Sequence, residues 1–348
     1  MQNHNSVKGG FMAFKLDISK AYDRVEWSFL EAIMRKLGFD ERWITLMMLC
    51  VPTVSYFILI NGKPIGFIKP TRGIRQGDPL SPFLFLLCTE GLHGLLIQSA
   101  MNGDIHGFSL SKRSPSLTHL LFTDDSLLFC RSNSEECQKV LDVIQVYELG
   151  SSQQINKGKT IVFFSKCTNE EWRQLIKNTL GVVEIRNYEK YLGLPSLVGR
   201  NKKASFNYIK ERVRRKFQGW EEKLLSQAGR EILIKAVVQA ILTYTMNCFK
   251  LPVGLCNEIE GLIHKFWWGQ RGDKRKIHWV RREELCNNAL LARQAWRLLQ
   301  NRNSIFYRIF KTKLFSNCSI MEAVDSQSGS YTWNSILKGK EVLREGMR

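Results

Sequence analysis

The first 200 residues alternate short apolar runs with amphipathic stretches, and the spacing of the apolar positions assigns each one. Phe11-Met12-Ala13-Phe14-Lys15-Leu16 is a strand-like run that leads into Asp17. Phe29, Ile33 and Leu37 recur every four residues, with Leu30 and Met34 beside them, which predicts an amphipathic helix over Ser28 to Leu37. Gly38 stands where a helix end takes a left-handed residue. Asp40 is placed to cap a second helix carrying Trp43, Met47 and Met48. The period then changes. Tyr56 to Ile60, Asn61-Gly62 and Ile65 to Ile68 read as a hairpin, because a type I′ turn needs positive φ at both central residues. Ser81-Pro82 ahead of Phe83, Leu86, Leu87, Leu92, Leu95 and Leu96 reads as an N-cap, a proline at the first helical position and a largely buried helix.

After about Gly199 the texture becomes helical. Phe206, Ile209, Val213 and Phe217 share a face, as do Leu233, Val237, Ile241 and Tyr244, and then Leu255, Ile259, Leu262 and Phe266, with Pro252 between the last two sets. A domain boundary is expected near Leu197 to Asn201. The last 25 residues, Ser-rich and then basic, show no clear core pattern. No apolar run reaches the roughly 18 residues of a membrane span, so no membrane partner is expected. Met1 to Lys8 has no apolar signal core, so secretion is not expected either. Nine scattered cysteines suit a reducing compartment better than a disulfide framework. Cys248, Cys256 and His264 share a region, but their eight-residue steps do not match a zinc site.

Charge sharpens the picture. The chain has 348 residues, with 51 Lys+Arg against 32 Asp+Glu, a net +19. Residues 201–300 hold 20 of the basic and 9 of the acidic residues, so +11 lies in the helical part. Such a chain favours a polyanionic partner and disfavours a cationic one.

Against this basic background two acidic sites stand out. Asp17 ends a hydrophobic run, and Asp124-Asp125 forms a tight turn between Leu120-Leu121-Phe122-Thr123 and Ser126-Leu127-Leu128-Phe129-Cys130. Buried strands on both sides would hold adjacent carboxylates at the lip of a core. Carboxylates brought together repel one another, and Mg²⁺, an oxygen-seeking cation often shared with substrate phosphates, relieves that repulsion.

Phe14-x-x-Asp17 with Ala21-Tyr22-Asp23 resembles motif A of reverse transcriptases. Gly73-Ile74-Arg75-Gln76-Gly77-Asp78-Pro79-Leu80-Ser81-Pro82 resembles motif B, and Phe122-Thr123-Asp124-Asp125 motif C. Asn156-Lys157-Gly158-Lys159-Thr160 is similar to motif D and Tyr191-Leu192-Gly193-Leu194-Pro195 to motif E. Five motifs in order, from about residue 9 onward, resemble the non-LTR, LINE-type retrotransposon reverse transcriptases of plants. Leu225 to Lys235 and Phe266-Trp267-Trp268-Gly269 resemble that group's later region.

The resemblance implies an α+β fold: a right-hand polymerase palm with an antiparallel sheet and packed helices over 1–198, then a basic, all-helical thumb-like region over 199–300, and a truncated C-terminal segment over 301–348. It implies an RNA template, a DNA primer or target and a deoxynucleoside triphosphate as partners, with two Mg²⁺ ions, or Mn²⁺, as cofactors. Asp17 and Asp124 would hold the metals, with Asp125 a less direct ligand and the Ile18 carbonyl helping. Tyr22 would sense the sugar 2′ position. Gln76 and Gly77 would lie at the incoming nucleotide. Lys159, with Lys157 two residues away as the alternative, would be a proton donor to pyrophosphate, and Tyr191, Leu192 and Gly193 would form the primer grip. Lys202, Lys203, Arg212, Arg214, Arg215 and Lys216 would track phosphates, and Trp267 and Trp268 either stack on bases or join the core. Nuclear action is the family's habit.

The departures from the family are specific. The residues ahead of motif A are too few for the family's fingers, Thr123 replaces the more usual Ala, and no C-terminal Cys/His region is visible. Between Cys286 and Asn287 the family has a Gly-rich stretch, whereas this chain runs straight into Ala289-Leu290-Leu291-Ala292, as if a segment were deleted. Three readings are therefore open: an RNA-directed DNA polymerase domain acting by two-metal transfer, a catalytically impaired retroelement fragment acting at most as a nucleic-acid-binding protein, or a nucleic-acid-binding or splicing-associated protein derived from such an element.

Overall fold

Nine consecutive residues, Phe11–Ser19, form strand β1, on which the first sheet is assembled. In this computed structural model, residues 10–111, 113–123, 125–181, 183–184, 190–196, 198–221, 225–268, 282–324 and 329–346 are described. Their contacts divide the chain into two units, Met1–Arg186 and Asn187–Arg348. The division falls ahead of the 197–201 stretch.

In the first unit β1 is followed by α1 (Trp27–Lys36), α2 (Glu41–Cys50), the hairpin β2 (Tyr56–Ile60) and β3 (Lys63–Ile68), and the long helix α3 (Ser81–Met101). Then come β4 (His119–Phe122), β5 (Asp125–Arg131), α4 (Ser134–Ser151), β6 (Gln154–Ile155), β7 (Ile161–Phe164), α5 (Glu170–Leu180) and β8 (Val183–Glu184). The sheet order is β4-β5-β1-β7-β8, with β6 also pairing with β1. All pairings are antiparallel except β7 with β8. From Phe14 onward, even-numbered residues of β1 are buried and odd-numbered ones half-open, the two-residue alternation of a strand with one face on a core. Phe14, Leu16, Leu128, Cys130 and Val162 meet Leu92 and Leu96 of α3, Val140, Ile144 and Tyr147 of α4, and Ile176 of α5. A second cluster joins Ile18 to Leu30, Met34, Ile44, Leu84 and Phe85.

Where the chemistry is local, the expected turn and cap residues do what their types allow. Gly38 takes φ +83° after α1, and its N–H donates to the Arg35 carbonyl. Asp40 Oδ1 accepts from the Arg42 N–H at 2.9 Å. Asn61 and Gly62 both have positive φ. Two expectations at α3 need correction. Ser81 is not the N-cap: it is the buried first helical residue, and Asp78 Oδ1 takes the Leu80 N–H at 2.8 Å. Nor is the chain free of a run apolar enough to cross a membrane, since α3 is long and apolar enough by length and composition. Its apolarity serves the cores on two sides, to which Leu84, Phe85, Cys88, Leu92 and Leu96 contribute.

The second unit begins with a small hairpin, β9 (Lys190–Tyr191) and β10 (Leu194–Pro195). It continues with α6 (Lys202–Glu221), α7 (Gln227–Leu233), a π turn (Ile234–Val238), α8 (Gln239–Met246), α9 (Val253–Trp268), α10 (Arg282–Gln300), α11 (Ile305–Leu314) and α12 (Tyr331–Gly346). The stripe expected at Val237, Ile241 and Tyr244 is displaced by one position: Val238, Leu242 and Thr245 are the buried residues. The π turn supplies the reason, because it accommodates one extra residue and rotates everything after it. The C-terminal stretch, expected to lack a core pattern, has one. Trp333 is fully buried, stacks on Phe315 at 5.5 Å and packs with Ala295, Leu298, Ile336 and Leu337. Asn287 is buried, with its Oδ1 accepting from the Leu251 N–H and its Nδ2 donating to the Met246 and Phe249 carbonyls.

Helices α10 and α12 cross closely at Gly339, where a Cβ would lie 2.4 Å from the Leu291 carbonyl carbon. Gly339→Ala gains about 1 kcal/mol in helix propensity but must push two backbones apart, which costs about 1–3 kcal/mol or more. Urea unfolding of the variant should show a net loss of stability; an equal or higher midpoint would mean a looser crossing.

Candidate active site

Register alone brings the first two carboxylates together. In the β1–β5 ladder Asp17 lies directly opposite Asp125. Both occupy the half-open face, and each side chain keeps 27% of its surface accessible. Asp124 lies outside the described residues. Its neighbours define a two-residue connection, since Phe122 pairs with Asp125. Thr123, the first residue of that connection, has φ +48°. A β-branched residue there is a genuine conformational outlier, and such strain concentrates at functional sites.

Like charges directly opposite each other in a ladder are unfavourable, and two lysines offset them here. Lys15 Nζ lies 2.7 Å from Asp125 Oδ1, and Lys159 Nζ lies 3.9 Å from Asp17 Oδ2. Lys159 belongs to a turn that the Asn156 N–H ties to the Asp17 carbonyl at 2.7 Å. Thus Asp17, Asp125 and Lys159, named from the motifs, converge. Lys15 was not named, although its two-residue spacing from Asp17 already puts it on the same strand face.

The turn after β1 is held from two directions. The Ile74 N–H donates to the Tyr22 carbonyl at 2.9 Å, and the Gly73 N–H to the Val25 carbonyl at 2.7 Å. A Cβ on Gly73 would come within 2.7 Å of the Asp23 carbonyl oxygen, so glycine is required for this approach. On the other side Gln153, fully buried, donates from Nε2 to the Ala21 carbonyl at 2.8 Å and accepts from the Tyr147 hydroxyl. Burial pushes the Tyr147 phenol pKa up, so it remains a donor. Gln153 gave no sequence signal, since a glutamine in a polar stretch reads as exposed. Tyr22 stacks on Phe85, centroids 4.9 Å apart, and the side chain of Ile18 is buried beneath. Gln76 and Gly77 lie on an exposed turn where Gly77 has φ +91°. Gln76 also lines a cavity of about 380 Å³ together with Asp23, Arg72, Arg75 and Asp78.

In the second unit, Tyr191 and Leu194 pair across the two-residue turn Leu192-Gly193. Arg212, Arg214, Arg215 and Lys216 are exposed on α6. Lys203 is engaged by Glu258, which also takes Lys210 at 2.8 Å, and the two lysines hold the Glu258 carboxyl down at about 2. Lys202 lies 4.9 Å over the Tyr331 ring. Trp267 is half-buried, its carbonyl accepting from Arg230 at 3.2 Å, and the Trp268 side chain lies outside the described residues.

The first unit is thus an α+β sheet-and-helix layer with acids facing across β1 and β5 beside a glycine-dependent loop. Residues 2–208 match the reverse transcriptase (RNA-dependent DNA polymerase) family, and the chain belongs to it. A putative ribonuclease H protein of Arabidopsis thaliana is 33% identical over 177 residues, 44% of this chain and 28% of that protein. A retrovirus-related Pol polyprotein from the type-1 retrotransposable element R2 of Popillia japonica is 31% identical over 113 residues, 32% of this chain and 18% of the polyprotein. The kinship is thus to non-LTR retrotransposon reverse transcriptases, and the chain spans under a third of the length of either relative. Telomerase from Candida tropicalis, solved with a fragment of telomeric RNA, aligns with 98% of this chain and 50% of its own at 12% identity and a TM-score of 0.39.

His119 on β4 lies near the site hairpin, its Nε2 2.7 Å from His93 Nδ1 and its Nδ1 2.8 Å from Thr118 Oγ1. Burial, and secondarily His93, lower its pKa from 6.5 to about 4. The unfolded chain therefore binds the proton first as pH falls, and stability drops between about pH 6.5 and 4. Urea midpoints across that window should decline less steeply in His119→Gln, and an unaltered slope would remove His119 from the account.

Proposed function

We propose that the palm extends a DNA primer on an RNA template, adding deoxynucleotides and releasing pyrophosphate. The observation that carries this reading is the placement of Asp17 opposite Asp125 on the open face of the sheet. Reverse transcriptases use divalent metal ions, and the residues suit them: hard carboxylate oxygens face one another and already draw an ammonium group to each. Asp17 and Asp124 would hold two Mg²⁺ ions, or Mn²⁺, with Asp125 in support and the Ile18 carbonyl beside them. When bound, such ions favour ionisation of the attacking hydroxyl and neutralise charge on the phosphates.

The chain's own residues do the rest. Lys15 pairs with Asp125 at 2.7 Å and offsets its charge. The Tyr22 ring is braced by Phe85 and by a turn pinned at Ala21 and at its own carbonyl, and in this reading it excludes a sugar 2′-hydroxyl. Gly77 lets backbone approach the nucleotide, with Gln76 beside it. The Lys159 ammonium can donate its proton to the departing pyrophosphate. The exposed basic residues of α6 follow phosphates without reading sequence.

Extension of a DNA primer on an RNA template with Mg²⁺ tests this reading. Asp17→Asn, Asp124→Asn and Asp125→Asn should each reduce products to background. Tyr22→Val should raise ribonucleotide incorporation relative to deoxynucleotide, on the order of tenfold. The net charge of +19 supports a second reading, binding without synthesis. Salt-sensitive binding that persists in Asp17→Asn, with no extension by the unmodified chain, would favour it.

A further inference from the structure

The two-residue turn at Leu192-Gly193 is built with an unfavourable residue. The pairings Tyr191 with Leu194 and Lys190 with Pro195 leave Leu192 and Gly193 as the connection, at φ +49° and +77°. Positive φ at both positions is the type I′ requirement, normally met by Asn-Gly or Asp-Gly. This molecule meets it in that way at Asn61-Gly62. Leucine has no side-chain amide to support the left-handed conformation, and its Cβ crowds the following carbonyl.

An outside contact supports that turn. The Tyr244 hydroxyl on α8 donates to the Leu192 carbonyl at 2.9 Å, across 52 residues of sequence. Tyr244 is available for this because of the π turn at Ile234–Val238. The helical repeat read from the sequence puts Tyr244 on the core stripe, but the extra residue turns Thr245 inward instead and leaves Tyr244 47% exposed. Three irregularities therefore coincide: a leucine at positive φ, a π turn, and a tyrosine displaced from the core with its hydroxyl on that leucine's carbonyl.

We propose that Tyr244 is a positioning residue that clamps the Leu192-Gly193 turn, so that the β9–β10 hairpin presents a fixed backbone to the primer strand. The proposal rests on the reading of Tyr191, Leu192 and Gly193 as the primer grip. Tyr244 itself need not touch nucleic acid.

A mutant cycle on the full chain separates the clamp from the grip. Tyr244→Phe keeps the ring and removes the donor, whereas Leu192→Gly removes the reason for a donor. Hydrogen exchange of the hairpin amides reads the clamp, and fluorescence anisotropy of a labelled DNA primer annealed to RNA reads the grip. Thermal midpoints confirm that each variant is folded. Tyr244→Phe should speed hairpin exchange and weaken primer–template binding roughly fivefold, the size of one net hydrogen bond. Adding Leu192→Gly should restore affinity to within about twofold of Leu192→Gly alone, since glycine accepts positive φ without support. Unchanged hairpin exchange in Tyr244→Phe, or losses that simply add in the double variant, would overturn the clamp. Faster exchange with unaltered affinity in every variant would leave the hydrogen bond standing but overturn the primer-contact reading beneath the proposal.

Discussion

Two carboxylates face each other across β1 and β5, and the first unit is organised to make that arrangement tolerable. A ladder that places Asp17 against Asp125 invites repulsion, and a shift of one residue would turn the acids into the core. The opposite face prevents the shift: Phe14, Leu16, Ile18 and Leu128 are buried on it, and their burial fixes the register. Repulsion on the open face is then met locally by Lys15 and Lys159. The apolar side thus dictates the geometry of the charged side, and the energy of the core is what holds an otherwise unfavourable charge pair in place.

The same economy of connection governs the turn after β1. It carries no regular structure, yet its carbonyls are taken by Gln153 at Ala21 and by the N–H groups of Ile74 and Gly73 at Tyr22 and Val25. Gln153 is in turn fixed by Tyr147 from within the core. Elements far apart in sequence therefore converge on one loop, which is how a loop can present Tyr22 with the precision of a strand. Gly73 is indispensable because this convergence leaves no room for a side chain.

How much of this was legible in the chain depended on the range of the interaction. Gly38, Asp40 and Asn61-Gly62 act on their immediate neighbours, and their roles were readable from sequence alone. Asp17, Asp124, Asp125 and Lys159 stood out through motif spacing, and the register then explained the meeting of Asp17 and Asp125. The cap expected at Ser81 does not form because the helix begins at Ser81 itself, with Leu80 at the boundary and no side chain capping it. The face of α8 was misread because a π turn leaves no mark in a period of apolar residues. The C-terminal core was missed because its partners, Ala295 and Leu298 on α10 and Phe315 beyond α11, lie well upstream of Trp333. Gln153 and Asn287 were invisible for a related reason: a buried amide is defined by the backbone groups it satisfies, and those belong to other segments.

Charge in the second unit shows why composition overstates an electrostatic surface. Lys203 and Lys210 converge on one carboxylate, Glu258, and Lys202 sits over the Tyr331 ring. A phosphate approaching Lys202 or Lys203 must compete with contacts that already exist. Arg212, Arg214, Arg215 and Lys216 lie farther along α6 on its exposed surface. The number of counterions released on binding nucleic acid is set by the cations that actually meet phosphates. If the proposed phosphate contacts form, their salt dependence reflects the C-terminal half of α6 more than its first turn, because internal ion pairs discount the charge that the bare count assigns to the helix as a whole.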